Sequence, residues 1–141
     1  LDPAPVHNLI FPTEPIDYII PNEIEAAELA RGKPIDLWAE EELKSGRKAV
    51  VISVGALGAV VYDKNGKRNF PAFPVKVVDS TGAGDAFRAG LAVSLASGKD
   101  IDEAVRFANA CGALATTVLG AEPSMPTLDQ VERFLQEQKI T

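Results

Sequence analysis

The stretch Val77-Val78-Asp79-Ser80-Thr81-Gly82-Ala83-Gly84-Asp85-Ala86-Phe87 decides how the rest of the chain is read. It opens on β-branched residues, and Val75 to Val78 is expected to form a short strand. Gly82, Ala83 and Gly84 follow, with little or no side chain to hold a ligand away from the backbone. From Asp85 to Ser97 the chain is rich in Ala and Leu, which predicts a helix. The order strand, bare loop, helix implies an α/β fold. The first N–H groups of such a helix have no partner inside it, and the positive end of its dipole faces the loop. The two effects together favour a phosphate at that point.

Asp85 stands at the helix entrance. Transfer of a γ-phosphoryl group requires fixed dipoles to stabilise charge on the group in flight, and a proton acceptor for the attacking hydroxyl. A Gly-x-Gly-Asp sequence supplies both within four residues. Taken alone, the same four residues also read as a plain helix cap after a glycine turn. No Gly-x-x-x-x-Gly-Lys-Ser/Thr occurs in the chain, so the phosphate site is not a P-loop.

Working outward, Asp17–Pro21 is a short apolar run ended by proline and reads as a buried strand. Asn22 opens a helical pattern through Ala30, with Gly32 as its stop. Asp36 is expected to cap a second helix, Leu37 to Lys44, ended by Gly46. Lys48 to Val54 is continuous and β-branched, as in a parallel strand buried on both faces. Ala59–Tyr62 and Lys67–Phe70 flank Asn65-Gly66, a hairpin signal. Asp100 with Glu103, and Thr127 with Gln130, mark the starts of two further helices. Leu128, Val131, Phe134 and Leu135 share one face of the second. Trp38 is expected to pack a helix on the sheet, and Glu40, Glu41 and Glu42 to form a solvated face. Strands alternating with helices argue for a largely parallel sheet.

Composition narrows the function. The chain has 141 residues, 46% hydrophobic and 24% charged, with a net charge of −6. That is ordinary globular composition, and the acidic balance argues against nucleic-acid binding. Cys111 is the only cysteine and His7 the only histidine, so neither a disulfide within the chain nor a Cys- or His-rich metal site is available. One cysteine suits a reducing, cytoplasmic setting. No run of about 18 apolar residues is present to cross a membrane.

Asp79 through Gly90 closely resembles the C-terminal signature of the ribokinase-like (PfkB) carbohydrate kinases. The resemblance implies a three-layer fold, a mostly parallel sheet flanked by helices. Residues 1–141 would be only its C-terminal, ATP-binding and catalytic portion. The opening Leu1-Asp2-Pro3-Ala4-Pro5 resembles the strand end that follows the family's first half, so a piece of a longer protein is expected. The sugar-gripping half and its lid would lie outside it. The isolated chain is accordingly expected to be poorly active, and to associate through its exposed surface, with a homo-oligomer as one outcome.

The resemblance further implies ATP-dependent phosphorylation of a hydroxyl on a small sugar, of ribokinase or fructokinase type. Asp85 would be the base and Gly82, Ala83 and Gly84 the anion hole. A nucleoside kinase of the same family, or a nucleotide-binding module silent on its own, are the alternatives. Pro21-Asn22-Glu23-Ile24-Glu25 carries the family's Asn-x-x-Glu, which would place Asn22 and Glu25 near Mg²⁺ and the phosphates, largely through water. The same pair is the pattern of a helix capping box. Ser53, Gly55 and Gly58 match a nucleotide-contacting strand and turn, with Ser53-Val54-Gly55 where the family more often has Thr-Leu-Gly. Read alone, they make a β-turn. Asn109 matches the position nearest the adenine, on a helix face of small residues that close packing explains equally well. In members regulated by K⁺ the cation is held by two loops, and the matching positions are Asp79, Thr81, Ala115, Val118, Gly120 and Ser124. Asp79 also reads as a loop cap. Arg88 is either within reach of a phosphate or a surface residue. Cys111 reads as a small buried hydrophobe.

Overall fold

Apolar, β-branched segments at 18–19, 49–53 and 59–63 can bury both faces only by pairing with one another and being covered by helices. The computed structural model describes residues 1–4, 6 and 15–138. Pro5 and His7 lie outside the described residues. The chain falls into two compact units, Leu1–Asn69 and Phe70–Thr141.

In the first unit, β1 (Tyr18–Ile19) leads to α1 (Glu23–Ala30) and α2 (Ile35–Lys44). Then come β2 (Ala49–Ser53), a 3-10 turn (Gly55–Leu57), β3 (Ala59–Asp63) and β4 (Gly66–Phe70), whose last residue opens the second unit. The sheet order is β1-β2-β3-β4. β1 pairs parallel to β2, Tyr18 opposite Ala49, and β2 pairs antiparallel to β3, Val51 opposite Val61. The sheet is therefore mixed among the described residues, and the expectation of a mostly parallel sheet applies only to the β1–β2 pair. The hairpin forms where Asn65-Gly66 places it. Gly66 has φ +95° and the Asn65 N–H donates to Asp63 Oδ1 at 2.7 Å. Trp38, Ala39, Ala26 and Ala30 of the helices close over Ile19, Val50, Ile52 and Tyr62.

Three local expectations are corrected in this unit. Asp36 does not cap α2. Pro34 stands at that position, and Asp36 sits in the first turn, where it accepts from Tyr62 Oη and from Lys67 Nζ at 2.8 Å. Glu42 is not a solvated residue, because Arg47 and the Trp38 indole N–H both bind its carboxylate. The strand expected over Asp17–Pro21 is shorter, Tyr18–Ile19, while α1 stops as expected, with Gly32 at φ +83° behind Arg31 at +50°.

In the second unit, α3 (Ala83–Ala96) and α4 (Ile101–Ala115) pack along each other, followed by α5 (Ala121–Ser124) and α6 (Leu128–Glu137). The close approach of α3 and α4 depends on small residues. A Cβ on Gly90 would sit 2.6 Å from Cys111 Sγ. Ala86, Ala110, Cys111, Ala115 and Val131 form the core, with Phe73, Phe107 and Phe134 against it. The Phe73 and Phe134 rings meet edge to face at 5.2 Å. Leu128 is exposed, so the buried face of α6 is Val131 with the half-buried Phe134 and Leu135.

The strand expected at 75–78 is absent. Residues 71–80 have no regular structure, and Val78 and Asp79 donate their N–H groups to Thr116 O, just past α4, at 2.7 and 3.1 Å. Val77 and Val78 stay exposed. β-branched composition favours a strand only where a neighbouring strand exists to pair with it.

Candidate active site

Ser80-Thr81-Gly82-Ala83 is a tight turn closed by Ala83 N–H to Ser80 O at 3.2 Å. Gly82 has φ +81° and ψ −4°, the third position of a type II turn, which only a residue without a Cβ adopts at no cost. The turn delivers the chain into α3 with Gly82 as its N-cap, so Asp85 lies in the first turn of the helix. The Ala83 amide is spent on the turn. The amides of Gly84 and Asp85 carry no backbone partner among the described residues, as expected of a helix start. The Asp85 side chain is 77% exposed, with Arg88 Nη1 3.7 Å from its carboxylate. A Cβ on Gly84 would lie 3.6 Å from the same guanidinium nitrogen. The sequence reading left Arg88 undecided, and the one-turn spacing from Asp85 is the signal that places it.

Asp79 organises the flank of this turn. Its Oδ1 accepts the N–H of Thr81 at 3.0 Å and the Thr81 hydroxyl at 2.8 Å, and its Oδ2 accepts the N–H of Gly120 at 2.9 Å. The N–H of Thr81 first, then that of Gly120, hold the Asp79 carboxyl below its ordinary range. Ser124 is buried and its hydroxyl donates to Ala121 O at 2.7 Å. Gly120 and Ser124 therefore sit in the segment that Asp79 anchors. Ala115 is buried at the end of α4, and Val118 is exposed in the loop that follows. Asp79 thus has a structural role in joining the two loops.

Asn109 is buried, and its Nδ2 donates to Phe70 O at 3.0 Å and to Pro71 O at 3.2 Å. It pins the segment that enters the second unit. Burial pushes the Cys111 thiol up to about 11, in keeping with a packing residue.

The first unit brings Asn22, Glu25 and Ser53 together at the C-terminal ends of β1 and β2, the end at which α/β sheets bind ligands. Asn22 pairs with Ser53 in a parallel bridge, and Ser53 N–H donates to Pro21 O at 3.0 Å. Asn22 Oδ1 accepts the N–H groups of Ile24 and Glu25, each at 2.9 Å, and Glu25 Oε2 accepts the Asn22 N–H at 2.7 Å. The capping box is therefore formed. No group of three or more His, Cys, Asp or Glu among the described residues could enclose a metal. Gly55 and Gly58 follow in the 3-10 turn, with φ +53° and +97°. A Cβ at Gly55 would meet nothing within 4 Å, and the residue is exposed.

The pfkB family carbohydrate kinase profile matches residues 12–128. Ribokinase of Bacillus subtilis is 40% identical over 96% of this chain and 45% of its own length. A crystal structure of ribokinase from Thermotoga maritima superposes with a TM-score of 0.85 at 38% identity, covering 96% of this chain and 48% of that one. Arabidopsis thaliana ribokinase, solved with ribose and ATP, gives a TM-score of 0.78 at 34% identity over 86% of this chain and 41% of its own. The chain belongs to the pfkB family of carbohydrate kinases. It spans about half the length of the relatives it matches. No described helix is long and apolar enough to cross a membrane.

Proposed function

We propose that this chain is the nucleotide-binding and catalytic portion of an ATP-dependent sugar kinase, with Asp85 as the base. The observation that carries this reading is the pairing, in the first turn of α3, of an exposed carboxylate with the Gly84 and Asp85 amides, which have no backbone partner among the described residues. Gly82 and Ala83 form the turn that aims those amides, so the anion hole is Gly84 and Asp85, with Gly82 and Ala83 as its frame. A γ-phosphoryl group held there meets a fixed positive dipole, and Asp85 accepts the proton of an attacking sugar hydroxyl. The Arg88 guanidinium adds positive charge beside the same carboxylate. Mg²⁺, when bound, screens phosphate charge, and Asn22 and Glu25 orient its water. Ser53, Gly55 and Gly58 contribute backbone approach and a hydroxyl to the nucleotide. Asn109 supports the adenine side by fixing the main chain at Phe70 and Pro71. Asp79, Thr81, Ala115, Val118, Gly120 and Ser124 are the positions for K⁺.

The second reading, a nucleotide-binding module silent on its own, is favoured by one observation. The chain spans about half of its relatives and leaves Val77, Val78 and Val93 exposed at 61%, 57% and 56%. A ribokinase in which this chain replaces the corresponding half separates the two. Turnover of ribose, fructose or adenosine in a coupled assay, abolished by Asp85→Asn, supports the kinase. Nucleotide binding without turnover supports the module, and neither binding nor turnover defeats both.

A further inference from the structure

Gly82 is crowded by the loop that follows α4. A Cβ at that position would lie 3.0 Å from Met125 Cε and 3.1 Å from both Cα and Cβ of Ala121. Met125 is the only methionine in the chain. It stands between Pro123 and Pro126, which restrict the backbone around it, and its N–H donates to Glu122 O at 3.3 Å. The bond from Gly120 N–H to Asp79 Oδ2 holds the start of the same loop. The methyl tip of Met125 occupies the space that a side chain on Gly82 would need. The opposite side of Met125 lines an open cleft of about 380 Å³ with Leu114, Val118, Pro126 and Phe134, and the residue is 39% exposed. An unbranched thioether with three rotatable bonds, packed on one side and open on the other, can seat or withdraw without moving the core.

We propose that Met125 is a positioning residue that sets where the Ser80–Ala83 turn sits, and with it the direction of the Gly84 and Asp85 amides. The inference rests on the anion-hole reading of those amides. Gly82 meets Ala121 there as well as Met125, and Asp79 ties Thr81 to Gly120, so Met125 acts as the flexible contact beside these fixed ones. Displacement of the turn by about 1 Å is enough to lower the efficiency of a site that works by alignment.

The test uses the ¹⁵N-labelled chain as wild type, Met125→Ala and Met125→Leu, titrated with ATP. The Ala variant is expected to shift the amide resonances of Gly82, Ala83, Gly84 and Asp85 before any nucleotide is added, and to weaken ATP binding about tenfold. The amides of Gly90 and Cys111, in the α3–α4 contact, should stay in place. Leu keeps volume and hydrophobicity and should return both readouts to within about threefold of wild type. Unmoved amides at 82–85 in the Ala variant overturn the proposal, and so does a Leu variant as damaged as the Ala one. If wild-type amides at 82–85 ignore ATP, the anion-hole reading fails, while the nucleotide-free shifts still decide whether Met125 places the turn.

Discussion

Asp79 Oδ2 accepts the backbone N–H of Gly120 at 2.9 Å, joining two loops 41 residues apart in sequence. Through Oδ1 the same carboxylate holds Thr81 at the entrance of the turn. One ionised side chain thus ties the approach to α3 to the loop that carries Met125.

Because these bonds favour the charged form, Asp79 is expected to titrate below its ordinary range. Whatever it adds to stability is fully present above the unfolded pKa and is lost as pH falls through the lower, folded value. The amide shifts of Thr81 and Gly120 should therefore move together at a pH below about 4. In Asp79→Ala at neutral pH, hydrogen exchange at Gly120 should speed up roughly three- to tenfold, the worth of one hydrogen bond. Independent titration of the two amides would show that Asp79 does not bridge them.

Asp85→Asn retains size and hydrogen-bonding shape but cannot accept the proton. In a ribokinase carrying this chain as its corresponding half, kcat should fall by about two to four orders of magnitude. ATP affinity should stay within about threefold, since the amides proposed to bind phosphate are unchanged. Steady-state kinetics with a parallel binding titration checks both, and a kcat near wild type removes Asp85 as the base.

Gly90→Ala places a methyl 2.6 Å from Cys111 Sγ, 3.1 Å from Cys111 Cβ and 3.3 Å from Ala108 Cα. The substitution should cost about 1–3 kcal/mol by overpacking. Cys111→Ala in the same chain removes the sulfur but not the backbone of Ala108, so the double variant should recover part of the loss, a coupling that urea unfolding of the four proteins measures. In the wild type, the buried Cys111 thiol, pushed up to about 11, should resist alkylation at pH 8 until the chain unfolds.

Arg68 grips the buried Asp63 with two bonds of 2.8 Å across the β3–β4 hairpin. Its guanidinium holds the Asp63 carboxyl below the ordinary range, against the opposing effect of burial and with help from the Asn65 N–H. Asp63→Asn should cost about 1–3 kcal/mol at pH 7. Stability from the ionised pair disappears as pH drops through the lowered folded pKa, so the difference between the two proteins should narrow near pH 3. Equal differences at pH 7 and pH 3 would contradict this origin.

What could be read from the residues was whatever a few neighbours decide among themselves. Asn22 with Glu25 and Thr127 with Gln130 form their capping boxes because both partners lie within one helical turn. Asn65-Gly66 fixes the hairpin, and Gly82 fixes the turn before α3, because each needs a positive φ that few other residues accept. Two of the misread places depended on distant partners. Asp36 satisfies every local rule for a cap but is drawn to Tyr62 and Lys67, far along the chain. Val75–Val78 has strand composition and no strand beside it. Met125 gave no sequence signal, because its contact with Gly82 crosses 43 residues by number alone.

The sequence by itself determined that a bare glycine turn runs into a helix with a carboxylate at its mouth, since backbone sterics and helix-end electrostatics are local properties. The same local turn spends the Ala83 amide on Ser80 and leaves Gly84 and Asp85 without a backbone partner among the described residues, whereas the tertiary structure decided what surrounds the turn. It alone put Asp79, Gly120 and Met125 around that turn, and it alone turned Asn109 towards the main chain at Phe70. Burial, long-range hydrogen bonds and van der Waals contact depend on where segments remote in the chain come to rest, and no short stretch of residues encodes that.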